Sequence, residues 1–186
     1  VPPDPDRQII QEIRDGQPRR FAVLVDRHRD RALTLAVRMV GNREEAEELV
    51  QDSFVRAFRS LGDFRGDARF GTWFYRIVYN VCMTSVMRKK ESLSDAGEDF
   101  PDVAAPGGDP LSQLEEAELQ ALLAEAIGRL PGHQRSVVTL FYVQDMTYEE
   151  IAEVTGQPMG TVKTHLFRGR EGLRRIVLQQ MHQRVP

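Results

Sequence analysis

The chain has one cysteine in 186 residues, Cys82, so no disulfide can close within it and a reducing compartment is expected. Cys82 lies in a helical context and reads as a packed thiol rather than a reactive one. Four histidines (His28, His133, His165 and His182) are scattered without ligand spacing, so neither a metal nor a cofactor is expected. No apolar run approaches the ~20 residues that cross a bilayer, and no signal-like leader opens the chain. Membrane insertion is therefore not expected, and a cytoplasmic location is. Also missing are a glycine-rich phosphate loop, a nucleophile elbow and any strand-like alternation. A hydrolase built on His28 or His133 with nearby acids has nothing further to support it. Finally, residues 91–112, ESLSDAGEDFPDVAAPGGDPLS, contain no basic residue and are acidic, small and rich in proline and glycine. Such a composition cannot bury enough apolar surface to order itself, and a flexible linker is expected.

What is present is helical. Hydrophobic residues make up 41% and charged residues 28%, at a net charge of -3, and the apolar positions recur at helical spacing. The expected fold is all-α: an N-terminal helical bundle over residues 1–90, the acidic linker over 91–112, and a C-terminal helical domain over 113–186. Phe21, Leu24, Val25, His28, Ala32, Leu35, Ala36 and Met39 trace one seam. After Gly41, Asn42 should cap a second helix with Glu45 at the reciprocal position, and the run of acids near its start suits the helix dipole. Ala46, Leu49, Val50, Ser53, Phe54, Ala57, Phe58 and Leu61 form its buried side. Glu48, Gln51, Asp52, Val55 and Arg59 form its outer face, which by pattern alone is an ordinary solvated surface. Near the end of the linker, Asp109-Pro110 should open a helix that ends at Pro131-Gly132, with another from about His133 to Val143.

Two segments are less ordinary. Phe64-Arg65-Gly66-Asp67-Ala68-Arg69-Phe70-Gly71 is a glycine-containing loop with two arginines and two aromatics. Thr72, as N-cap, leads from it into a helix whose only polar stripe is Arg76, Asn80 and Thr84, followed by Arg88-Lys89-Lys90. Cations interleaved with rings suit single-stranded nucleic acid, whose bases stack at about 1–3 kcal/mol each; a buried aromatic core accounts for some of the same rings. The second segment is Gly160–Arg175. Thr147-Tyr148-Glu149-Glu150 has capping-box spacing, Gly156 suits a left-handed helix end, and Pro158 prevents simple continuation. A short helix, a tight turn and a basic helix make a helix-turn-helix pattern. In the basic helix Val162, Leu166, Gly169, Leu173 and Ile176 share one stripe. Lys163, Thr164, Phe167, Arg168 and Arg175 share another, and Arg170 adds charge. A solvated basic surface is the alternative, but Phe167 on the polar side is costly to expose without a partner.

NREEAEELVQDSFVRAF, RGDARFGTWFYRIVYN and LPGHQRSVVTLFYVQDMTYEEIAEVTGQPMGTVKTHLFRGREGL, in that order, resemble bacterial sigma factors of the extracytoplasmic-function group. The resemblance covers most of both halves, with the acidic linker where the family has one. It implies a non-catalytic subunit that binds core RNA polymerase, at its clamp helices and flap, and directs it to promoters. By that resemblance, Glu48, Gln51, Asp52 and Val55 match the polymerase-docking surface. Phe64, Arg65, Asp67, Arg69, Arg76 and Asn80 match the part that captures an unstacked −10 base. Lys163, Thr164, His165, Phe167, Arg168 and Arg170 match the reader of duplex −35 DNA. An anti-sigma factor is a further partner the family implies. His165 stands where many members carry arginine, and Gly169 where alanine is common. A stand-alone helix-turn-helix regulator is the competing reading, and it would bind duplex DNA without polymerase.

Overall fold

Helix ends in this chain are set by a few side chains, and the computed structural model, which describes residues 4–92 and 122–184, places them. Asn42 accepts a hydrogen bond from the Glu45 amide at 2.9 Å and starts α3 (Arg43–Ser60). Before it come α1 (Arg7–Arg14), a 3-10 turn at Pro18–Arg20, and α2 (Phe21–Val40). After it come a second 3-10 turn at Leu61–Asp63 and α4 (Phe70–Ser92). Residues 122–128 are helical, followed by α5 (Gly132–Tyr142), α6 (Tyr148–Thr155) and α7 (Met159–Arg184). No strand occurs among the described residues, and the fold is all-α. The expected linker is shortened at its start, because residues 91 and 92 belong to the last turn of α4; the rest of it and the start of the helix from Asp109 lie outside the described residues. Gly41 and Gly156 end α2 and α6 at φ +77° and +68°, a region most side chains avoid.

Two expectations about caps are corrected. The Glu45 carboxylate does not return to Asn42. It reaches across to α4, where Ser85 donates to it at 2.6 Å and Lys89 pairs with it. Nor does Thr72 cap α4, because the helix already begins at Phe70. Asp4, far away in sequence, accepts the Phe70 N–H at 2.7 Å and takes the capping role there.

The N-terminal half packs α2, α3 and α4 around Leu24, Leu35, Phe54, Phe70, Phe74 and Val78, all buried. The C-terminal half packs α5 against α7, closed by Val137, Val138, Leu140, Val162 and Leu166. Gly169 makes that contact possible, since a Cβ there would lie 2.5 Å from Val138 Cγ2. The halves are not separate. Helix α4 lies along α6, and α2 along α5, so the buried apolar residues of both form one cluster. Polar contacts cross the same seam: Thr72 Oγ1 donates to Glu150 at 3.2 Å, and Gln144 Nε2 to the Arg31 carbonyl at 2.8 Å. The buried Arg135 guanidinium donates to the Arg38 carbonyl at 3.2 Å while also holding the carbonyl of Leu130.

Candidate nucleic-acid and polymerase interfaces

Helix α6 is capped on both sides of a reciprocal box. Thr147 Oγ1 accepts from the Glu150 amide at 3.2 Å, and the Glu150 carboxylate accepts from the Thr147 amide at 2.9 Å. That box satisfies two amides that would otherwise lack partners at the start of α6, and Gly156 ends the helix in a left-handed turn before α7. On α7, Val162, Leu166 and Gly169 are buried, and Lys163, Thr164, Phe167 and Arg168 are exposed on the other side. Phe167 is 66% exposed. Sorting of this kind leaves a flat cationic face with one large ring at its centre.

Two of the expected readers on α7 are otherwise engaged. His165 is half-buried and its ring stacks on His133, with centroids 5.7 Å apart. Its Nδ1 is enclosed without a hydrogen-bond partner among the described residues. Burial, then the neighbouring His133 and Arg168, hold its pKa below the ordinary histidine value. Arg170 is turned away toward α5. Its Nε donates to the Tyr142 hydroxyl at 2.6 Å, and its guanidinium lies over the rings of Phe141 and Tyr142.

In the N-terminal half the loop before α4 differs from expectation in one respect. Phe64 is buried, against Trp73 at 5.1 Å and Phe70 at 6.0 Å between centroids, so it is core and not an exposed stacking platform. Arg65 and Asp67 are exposed, Arg69 is half-buried, and its Nε has no hydrogen-bond partner among the described residues. Arg76 and Asn80 are exposed on α4, in line with Thr84. Trp73, half-buried at the mouth of the loop, is the ring left accessible there.

On α3, Glu48, Gln51 and Val55 are exposed, and Asp52 is half-buried and paired with Arg56 at 2.8 Å. Phe58 was expected in the core, yet it is 45% exposed and lies edge-on to Phe21 at 5.0 Å. Together Val55, Phe58, Phe21 and Val25 line an open groove of about 1100 Å³ between α2 and α3, with Arg29 and Arg59 at its rim. Sequence periodicity missed this groove because a helix stripe wider than its partner leaves its edge uncovered. Helix α1 was missed as well, since eight residues give too short a run for periodicity to show.

Two separated stretches of the chain match known families: residues 24–92 match sigma-70 region 2, and residues 120–173 match sigma-70 region 4. The ECF RNA polymerase sigma factor SigW of Bacillus subtilis is 33% identical over 177 residues, covering 91% of this chain and 95% of SigW. The chain belongs to the extracytoplasmic-function sigma factors of the sigma-70 family. Among solved structures, CnrH in complex with the cytosolic domain of CnrY is 25% identical. It covers 94% of this chain and 97% of its own, with a TM-score of 0.67. The sigma factor RpoE of Bartonella quintana, in complex with the anti-sigma factor NepR, shares the fold at a TM-score of 0.71. It is 20% identical and covers 84% of this chain and 96% of its own. As a sigma factor this protein is not an enzyme; it binds core RNA polymerase and promoter DNA and directs initiation. No described helix of this sigma factor is long and apolar enough to cross a membrane.

Proposed function

We propose that this sigma factor grips a promoter at two points, in the cytoplasm, after its halves have come apart. The C-terminal half, residues 113–186, reads the −35 duplex with Lys163, Thr164, Phe167 and Arg168. In the N-terminal half, residues 1–90, Arg65, Asp67 and Arg69 line the place where an unstacked −10 base enters beside Trp73. Arg76 and Asn80 carry the strand along α4. Residues 91–112 join the two. His165 sits at the edge of the groove face as a neutral side chain, and Arg170 supports that face through Tyr142 rather than reading a base. Core polymerase docks on Glu48, Gln51, Asp52 and Val55 and on the apolar groove beside them.

The observation that carries this reading is the sorted face of α7, with Phe167 exposed among cations and a close-packed seam behind it. An apolar ring so placed suits a thymine methyl in the major groove, and the cations suit phosphates. Separation of the halves follows from size. Promoter elements about 25 base pairs apart lie roughly 80 Å apart along the duplex, whereas a folded body of this length has a radius of gyration of about 16 Å. The Thr72–Glu150, Gln144–Arg31 and Arg135–Arg38 contacts must therefore break before both elements are held at once. A protein that stabilises those contacts would keep the factor off promoters, and an anti-sigma factor, the class of partner that RpoE has in its solved complex, is the candidate for that role.

The test is transcription from fragmented genomic DNA with core polymerase and this chain, followed by mapping of transcript starts. Discrete starts with a shared upstream pattern are expected, along with weak duplex binding by the chain alone. Tight, specific duplex binding without polymerase, and no initiation with it, would establish the stand-alone regulator instead.

A further inference from the structure

Apart from the buried Phe64 ring, the loop over residues 64–69 has little of its own to hold it in place. Arg65, Gly66 and Asp67 are exposed, and among the described residues the backbone of 65–68 makes no backbone hydrogen bond. Both of its ends, however, are tied to the same short N-terminal segment. At the entry, the Arg14 guanidinium donates to the Leu61 carbonyl at 3.1 Å and to the Phe64 carbonyl. At the exit, Asp4 Oδ2 accepts the Phe70 N–H at 2.7 Å, where the positive end of α4 favours a carboxylate. Asp4 Oδ1 also accepts the amide of Asp6 at 3.0 Å, which orders the segment itself.

Asp6 anchors that segment in the core. It is 1% exposed, and its carboxylate accepts from His28 Nε2 at 2.7 Å and from Arg27. The His28 ring in turn lies edge-on to Phe70 at 5.3 Å and to Phe74 and Tyr75 at 6.0 Å. A Cβ on Gly71 would stand 3.5 Å from His28 Cε1. A line of contacts thus runs from Asp6 through His28 to the first turn of α4, beside the line from Asp4 to the same turn.

We propose that residues 4–14 are a clamp on this loop, with Asp4, Asp6 and Arg14 as positioning residues for capture of the promoter base. The inference rests on the base-capture reading of the loop. A pocket that takes a base out of the stack must be held in place before the base arrives, because its stacking and edge contacts have to offset the unstacking. A loop with no internal hydrogen bonds supplies that only if its ends are fixed from outside. Asp4 and Arg14 fix one end each, and Asp6 and His28 fix the element that carries them.

The experiment uses full-length chain assembled with core polymerase. The probes are two forms of the single-stranded non-template −10 strand from a promoter mapped by transcription of genomic fragments. One form is intact and the other lacks only the captured base. Wild-type holoenzyme is expected to prefer the intact strand by on the order of tenfold, the scale of one stacked base. Arg14→Ala and Asp4→Asn should each bring the two strands to near-equal affinity, while core binding and −35 duplex binding stay unchanged. Asp4→Glu, which keeps the charge at the helix end, should recover part of the preference. Asp4→Asn keeps the side-chain shape, so it tests the idea even if Arg14→Ala does not fold. If the wild type prefers the intact strand and the Asp4→Asn protein does so equally, the clamp is wrong. Equal loss of affinity for both strands would also overturn it, by making the segment a contributor to stability alone. If the wild type itself has no preference, the base-capture reading fails and the clamp fails with it.

Discussion

Phe167 and Phe74 are the same side chain put to opposite uses. Phe167 stands 66% exposed on α7 among Lys163, Thr164 and Arg168, while Phe74 is fully buried and stacks on Phe54 at 4.4 Å. On the proposed two-point grip, the difference follows from what each half has to meet. Duplex DNA presents a finished surface, so its reader can be rigid, exposed and supported from behind. A base in a duplex is not presented at all, so the half that takes it spends its aromatics on a firm base and exposes mainly polar side chains. The N-terminal site is thus a loop on an aromatic platform, and the C-terminal site is one helix face.

The largest effect should come from removing the platform. Phe74→Ala is expected to cost about 3–5 kcal/mol of stability, the usual range for a buried aromatic. Phe167→Ala is expected to change stability by less than about 0.5 kcal/mol, as for an exposed side chain, yet to weaken −35 binding clearly. Urea titrations of both variants, with duplex binding of the second, check the pair. Equal destabilisation by the two would remove the contrast.

Next comes the support behind the reader. At Gly169 a Cβ alone would meet Val138 Cγ2 at 2.5 Å, and Val138 is fully buried. Gly169→Val should therefore cost about 1–3 kcal/mol or more through overpacking. The same helix offers its own control, because nothing lies within 4 Å of a Cβ at Gly160. Gly160→Ala should be neutral, or stabilising by up to about 1 kcal/mol. Thermal melts of the two variants decide it, and a tolerated Gly169→Val with wild-type melting would show that α5 and α7 can part cheaply.

The contrast between the halves was only partly legible in the sequence. Helix starts at Asn42 and Thr147 are written in side chains that cap their own helix, and both were read correctly. The start of α4 was not, because its cap, Asp4, comes from another part of the chain; only tertiary structure brings such a partner in. Likewise the polar face of α7 was legible from 100° periodicity, and so was the buried stripe with Gly169. That Arg170 would leave that face for Tyr142, and His165 would lean on His133, depends on α5, whose side chains no pattern within α7 can report. Phe64 was misplaced for a related reason: an aromatic in a loop looks available until the core that absorbs it is known. The packing of α4 on α6 and of α2 on α5 leaves no local signature at all.

Within the reading face, Arg168 should matter more than its neighbours. Exposed and directed with Lys163 and Phe167, it is expected on truncation to alanine to cost about 1–3 kcal/mol and to relax specificity if it meets a base edge. Binding assays on the mapped −35 sequence and on single-base variants separate the possibilities. A uniform loss across sequences, with a shallower salt dependence, would instead assign Arg168 to phosphate.

The smallest effect separates His165 from those exposed cations. Burial, with His133 stacked on one side and Arg168 near it, keeps its pKa below the ordinary histidine value, so it is neutral at pH 7. The sign for folding follows. The unfolded chain takes up this proton more readily, so the stability tied to neutral His165 is full above the ordinary value near 6.5 and is lost as pH falls through the folded value. For DNA the sign is opposite, since a proton on His165 adds charge beside Arg168 and should tighten duplex binding by roughly 0.2–1 kcal/mol. Duplex affinity at fixed salt between pH 7.5 and 5.5 should therefore rise in the wild type and rise less in His165→Gln. His165→Arg should bind more tightly at pH 7.5 and show less of the pH dependence. If His165→Gln retains the whole slope, the slope does not come from His165, which then acts on the −35 face only through its shape.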